Sequence, residues 1–265
     1  MMLRLIFPAC ALLAALSTGC ASLYDVHVGG ASVSYWSPEL SGDISRDFGP
    51  ALGDQVDLER TLNFDDEKIL EFRGFVSAGP VTIEATYFGL EFDGTNTISE
   101  SFTFDGETFN IGATLDSKFE FQYAAAKAKI GLIGAGPIAI GGIIGVGYFG
   151  LEGEVTEPAI SGESFGDSLD TPFPFIGATA TLDQPLGDTL SVFAEGEIYG
   201  LAIDDRFDLD GHFFDAQARA GLGFGPAKIG VGYRLMEIDL EETHDDNAEY
   251  NLSLTGPYIF GEIAF

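Results

Sequence analysis

Asp210-Gly211-His212 sets a carboxylate two residues from an imidazole, with Asp204, Asp205 and Asp208 just upstream. An Asp–His pair can orient and deprotonate a water, which is hydrolase chemistry. His244 and Asp245 form a second pair further along the chain. Acidic stretches also generate Asp-x-His by chance, so no catalytic residue is assigned. A zinc site needs three or four His, Cys or carboxylate ligands in close geometry. His27, His212 and His244 are widely spread, and no metal ligand is assigned. Asp208, Asp210 and Gly211 echo part of a calcium-binding helix–loop–helix motif, but Arg206 stands where its first ligand belongs. Looser divalent-cation binding at the acidic loops stays open. Gly131, Gly134 and Gly136 imitate a dinucleotide loop with no helix to follow, so no cofactor is expected.

Cys20 is a different kind of candidate. MMLR is a basic opening and LIFPACALLAAL an apolar run of signal-peptide length. That run is too short to span a bilayer as a helix. Leu16-Ser17-Thr18-Gly19 precede Cys20 in the manner of a lipobox, which makes Cys20 the candidate lipidation site. The alternative is signal-peptidase cleavage after Ala21, with Gly19 at the −3 place. Residues 1–21 are read as a signal peptide and 22–265 as the mature domain. Cys10 lies in the signal, so no disulfide framework is available.

The chain carries 12 Lys+Arg against 42 Asp+Glu, a net charge of −30. That excludes nucleic acid as a partner, because phosphates attract basic surfaces. It also works against attachment to anionic lipid through a basic patch. A chain both acidic and apolar must separate the two characters, and alternating strands do so residue by residue.

Segment 129–151, KIGLIGAGPIAIGGIIGVGYFGL, has the length of a transmembrane helix but not its chemistry. Gly-Pro breaks it in the middle, and β-branched residues and glycine fill the rest. It reads as a hairpin: Ile138, Ile140, Ile144, Val146 and Tyr148 share one face, and Ala139, Gly141, Gly145 and Gly147 share the other. Similar short turns recur at 77–82, 184–189 and 224–228. Longer acidic connections lie at 37–66, 94–112, 154–171, 205–210 and 242–248. Short turns alternating with long loops are the asymmetry of transmembrane barrels.

About ten strands are expected, near 23–36, 67–78, 80–93, 115–132, 137–153, 172–183, 190–204, 211–224, 227–241 and 249–265. Eight is the alternative. A small hairpin is expected within 94–112 and a short helix near Asp57–Leu62.

Within these strands the charges share one face. Glu71, Arg73, Glu84, Glu195, Glu197, Asp215, Arg219, Lys228 and Arg234 alternate with apolar residues. In a closed barrel that face is the lumen, and buried opposite charges must pair. The set reads as a salt-bridge plug, since barrels of about eight strands are just filled by side chains. A selectivity filter in a narrow passive pore is the alternative.

In the tail, Ile259, Gly261, Ile263 and Phe265 share a face, and Tyr258, Phe260 and Glu262 share the other. Tyr258, Ile263 and the terminal Phe265 resemble the C-terminal signal that bacterial barrel-assembly machinery reads. Leu252 and Leu254 fall in the opposite apolar register, so a bulge is expected at Gly256–Pro257. A wider resemblance runs from VDLERTLNFDDE through ATYFGLEFDG and ISESFTFDGETFNIGATLDSKFEFQY to GVGYRLMEIDLEE and GPYIF. It is to a poorly characterised family of small outer-membrane barrels of Gram-negative bacteria. The resemblance implies the fold and the location, and supplies no catalytic residues. Ten strands with Asp and His at an outer rim are also similar in outline to omptin proteases, which keeps a rim hydrolase as a second alternative.

The expectation is therefore an all-β, antiparallel transmembrane β-barrel in the bacterial outer membrane. It is expected to be non-catalytic and plugged, acting through its outer loops, with outer-membrane lipids and the assembly machinery as partners.

Overall fold

The computed structural model describes residues 26–46, 54, 56–58, 67–104, 107–156, 164–206, 209–242 and 248–265. The signal segment with Cys20, and Asp208, His244 and Asp245, lie outside the described residues. So do the side chains of His27, Asp204 and Asp205, and most of the helix expected near Asp57–Leu62.

The described chain forms fourteen strands: β1 (Val26–Trp36), β2 (Glu39–Arg46), β3 (Val56–Asp57), β4 (Ile69–Ala78), β5 (Val81–Thr97), β6 (Phe102–Phe104), β7 (Glu107–Phe109), β8 (Thr114–Ala135), β9 (Ile138–Thr156), β10 (Ser164–Pro185), β11 (Leu190–Arg206), β12 (Leu209–Phe224), β13 (Ala227–Glu242) and β14 (Ala248–Ala264). Ten of them, β1, β4, β5 and β8 to β14, pair with their neighbours in turn, and β1 also pairs with β14. The result is a closed, antiparallel ten-stranded barrel, as the alternation predicts. At the closing seam Phe265 exchanges two backbone hydrogen bonds with Gly29, at 2.9 and 2.7 Å. Strands β6 and β7 form the expected small hairpin.

Three connections are Gly-Pro pairs: Gly79–Pro80, Gly136–Pro137 and Gly225–Pro226. Their glycines have φ near +58°. Positive φ at the first turn residue, with proline fixing the second near −65°, gives the turn whose twist matches a hairpin. These turns mark one end of the barrel.

At the other end the strands run further than their sequence implies. Ser164 of β10 pairs with Thr156 of β9, inside the expected 154–171 loop. Strand β2 lies inside the expected 37–66 loop. It is an extension of β1: Trp36 pairs with Tyr258 and Glu39 with Thr255, so the register is unchanged across Ser37–Pro38. Proline removes a donor there and breaks the ladder without shifting it.

The bulge expected at Gly256–Pro257 does not exist. Strand β14 keeps one register against β13 from Ile263 to Glu249. Leu252 and Leu254 do not change faces; they point inward with Tyr258 and Phe260, and all four are buried. What changes is the chemistry of the outer face.

Strand β13 shows this change within one element. Ile229, Val231 and Tyr233 face out and are exposed, while Lys228 and Arg234 face in. Beyond Leu235 the roles reverse: Met236, Ile238 and Leu240 are buried inside, and Glu237, Asp239 and Glu241 face out. Strand β5 reverses at Tyr87/Phe88 and β9 at Tyr148/Phe149. The lower barrel is therefore apolar outside and charged inside. The upper barrel is polar outside and apolar inside, as in a water-soluble barrel. The charged lumen expected from the alternating residues is confined to this lower part.

Candidate functional site

All nine residues expected in the lumen charge set face inward, and they meet in one layer. Arg234 sits at its upper edge. Its Nη2 lies 2.5 Å from Asp215 Oδ2, its Nε 3.2 Å from both Asp215 oxygens, and its Nη1 pairs with Glu71. Arg73 donates to Glu71 at 3.1 Å and to Gln217 at 2.9 Å, and its Nε lies 3.4 Å from Glu84. Arg219 grips Glu195 through Nε at 2.7 Å and Nη2 at 2.5 Å, and reaches Glu262 at 3.0 Å. Lys228 stands at the short-turn mouth, half-buried, with Glu262 and Asp183 at 3.8 and 3.9 Å.

Lys127 and Lys129 of β8, absent from the expected set, complete the layer. Lys127 lies 3.1 Å from Glu84 and pairs with Glu197. Lys129 lies 2.8 Å from Glu84 and 3.0 Å from Glu195, and also pairs with Glu197. Six cations (Arg73, Lys127, Lys129, Arg219, Lys228, Arg234) thus face six carboxylates (Glu71, Glu84, Glu195, Glu197, Asp215, Glu262). Neither sign dominates, so the layer presents no uniform ring of charge for selecting an ion. Its members come from β4, β5, β8, β11, β12, β13 and β14 and cross-link them through the interior.

An aromatic mass lies above the layer. The Arg234 guanidinium centres 4.9 Å from the Phe88 ring, 5.2 Å from Trp36 and 5.3 Å from Tyr123, within cation–π range. Phe173 packs against Phe213 with ring centroids 4.5 Å apart, and Phe175 against Tyr199 at 4.7 Å, both pairs tilted. Tyr199 donates to Asp215 at 2.8 Å, joining the aromatic and charged parts. Arg234 is the bridging residue: its donors point down to carboxylates and its faces lie against rings.

Inward glycines make room for these rings. Gly147 pairs with Phe173, Gly145 with Phe175, Gly230 with Phe260 and Gly232 with Tyr258. At Gly145, Gly147 and Gly232 a Cβ would fall on the partner's ring, and at Gly230 it would meet the Ala220 carbonyl oxygen as well as the Phe260 ring. Gly232→Leu is therefore expected to displace Tyr258 and to cost about 1–3 kcal/mol, the range for overpacking. Gly74→Ala is the control, since its Cβ would meet nothing within 4 Å. The temperature at which each purified barrel loses its folded gel mobility reads the difference.

His212, the centre of the hydrolase alternative, is on the outer wall. Its Nδ1 lies 3.9 Å from Asp239 Oδ2, and both side chains are about half exposed, at 52% and 46%. Asp210 caps the adjacent Gly211 amide at 3.1 Å. Among the described residues no group of three or more His, Cys, Asp or Glu is arranged to hold a metal.

No protein-family model matches the sequence, and no curated relative matches it. Among solved structures, the outer membrane protease OmpT of Escherichia coli superposes with a TM-score of 0.56 at 12% identity, over 92% of this chain and 98% of that one. A Pseudomonas aeruginosa FadL homologue gives 0.34 at 9% identity, over 91% and 90% of the two chains. The toluene transporter TodX of Pseudomonas putida gives 0.33 at 7% identity, over 89% of each. At these identities the likeness to OmpT is one of fold: a closed antiparallel barrel of the outer-membrane type.

Proposed function

We propose that this chain is a non-catalytic barrel of the bacterial outer membrane, a sealed pillar whose outer wall and loops are its working surface. The observation that carries the reading is the blocked lumen: a balanced charge layer with packed aromatic rings above it. A conduit needs a continuous polar path, and the aromatic half supplies none. The outward apolar band, edged by Tyr35, Tyr87 and Tyr233, supports the membrane location, since aromatic residues gather at bilayer interfaces. The polar upper wall is the part that projects into water, so partners meet it there. Lipid of the band and the machinery that inserts barrels are the remaining partners.

Two measurements test this. Fractionation of cells should recover the protein with the outer membrane, folded and heat-modifiable on a gel; a soluble periplasmic product would overturn the location. Purified barrels in planar bilayers should show no channel steps. Stable unitary conductance would overturn the sealed lumen and favour the passive pore.

A further inference from the structure

Below the charge layer the barrel is not filled. A cavity of about 320 Å³ lies between the layer and the short turns. Pro80, Leu182 and Asp183, beside those turns, line its mouth. Its roof is formed by Lys129, Arg219 and Glu195, members of the layer just described. Its walls carry the hydroxyls of Ser77, Thr82, Thr179 and Thr181. Thr179 Oγ1 is buried and makes no hydrogen bond to the described residues. A buried hydroxyl without a partner is costly, so water is the group that satisfies it. At about 30 Å³ per molecule, the cavity holds roughly ten waters.

We infer that the short-turn end of the barrel is a blind, hydrated chamber, admitting water and small hydrophilic solutes to the underside of the charge layer and passing nothing through it. The inference rests on the sealed-lumen reading and adds a site to it. Two features argue for access from this end alone. Lys228 at the mouth keeps its carboxylates at 3.8 and 3.9 Å, beyond direct hydrogen bonding, and its ammonium lies 4.9 Å over the Phe193 ring, so its remaining donors are left to water or a solute acceptor. Above the roof, Arg73, Glu71 and Asp215 are each at most 4% exposed, and rings pack directly over Arg234. The chamber's lining is nearly balanced in charge, with Lys129, Arg219 and Lys228 facing Glu84, Asp183, Glu195 and Glu262, and it is rich in hydroxyls. It therefore suits neutral hydrogen-bonding solutes better than a bare ion of either sign.

Single cysteines and iodoacetamide, a small neutral thiol reagent, test the assignment. Thr181→Cys places a thiol in the chamber wall. Ala125→Cys places one on the inward face of β8 above Lys127, where Ala125 is buried. Both substitutions are small, both barrels are first shown to be heat-modifiable, and Cys20→Ala removes any competing thiol. In the purified, folded full barrel, Thr181→Cys should react within about tenfold of its urea-unfolded rate. Ala125→Cys should react at least about a hundredfold more slowly than its own unfolded control, since reaction there requires opening of the core. Protection of Thr181→Cys equal to that of Ala125→Cys would mean that the chamber is closed, and would overturn the inference. Rapid reaction at both positions would mean a continuous lumen and would overturn the sealed reading as well. The labelling is done on isolated barrels, so it is independent of the test of cellular location.

Discussion

Replacing Arg234 with Met will destabilise the barrel more than any comparable change on its outer wall. The substitution keeps much of the side chain's bulk and removes its charge. Asp215, fully buried at 0% exposure, then loses its fork of hydrogen bonds, and Glu71 loses one of its two cations. Truncating one partner of a buried pair typically costs about 3–5 kcal/mol, because the other charge is left without compensation. Three aromatic faces lose their cation at the same time. Val231→Leu, on the lipid-facing side of the same strand, exchanges one apolar surface for another and should change little. The measurement is the temperature or urea concentration at which the folded gel band disappears. Equal, small effects from both variants would mean that water reaches Asp215, and the sealed lumen would be lost.

The second large effect comes from a pair of substitutions on one face of one strand. Val231 and Glu241 both point outward on β13. Val231→Arg sets a charge in the middle of the apolar band, where an arginine on a barrel's lipid face costs about 2–4 kcal/mol. Glu241→Arg should be neutral or mildly stabilising, because Glu241 stands opposite Glu249 on β14 and Asp210 on β12. Like charges directly across a strand pair repel. Refolding yield into lipid vesicles reads both variants. Loss of folding in Glu241→Arg, or tolerance of Val231→Arg, would move the membrane boundary away from Leu235.

The expected result for these two variants turns on a feature that residue alternation alone could not supply. A period of two sorts side chains into two faces, and on that ground all nine lumen residues were legible, as were the Gly-Pro hairpins and the ten-strand count. It does not say which medium touches each face. Leu252 and Leu254 therefore read as a register shift, although the register is continuous and it is the inner face that turns apolar. Lys127 and Lys129 escaped because Ala124, Ala125, Ala126 and Ala128 surround them, and alanine contrasts weakly with either face. Glu262 shares a face with Tyr258 and Phe260 in the sequence, but it stands outside the expected charge set. Strand β2 was hidden by Pro38, which signals a break in sequence although the pairing resumes in the same register. The glycine–aromatic pairs need both strands and their register, so no single segment could have announced them.

The reversal of polarity along each strand also fixes how deeply the molecule floats. From Ala227 to Leu235, at about 3.3 Å per residue and the usual strand tilt, the apolar girth is on the order of 20 Å tall. Directly above it, Glu91, Glu120 and Glu152 are neighbours across β5, β8 and β9 on the outer face. Raising the bilayer edge by a few ångströms would submerge that row of carboxylates, while lowering it would strand Tyr87 and Tyr233 in water. The barrel thus carries its own waterline, and a thicker membrane must thin around it rather than climb it. Membranes that differ in thickness would hold this protein unequally, a sorting preference written into the side chains of its wall.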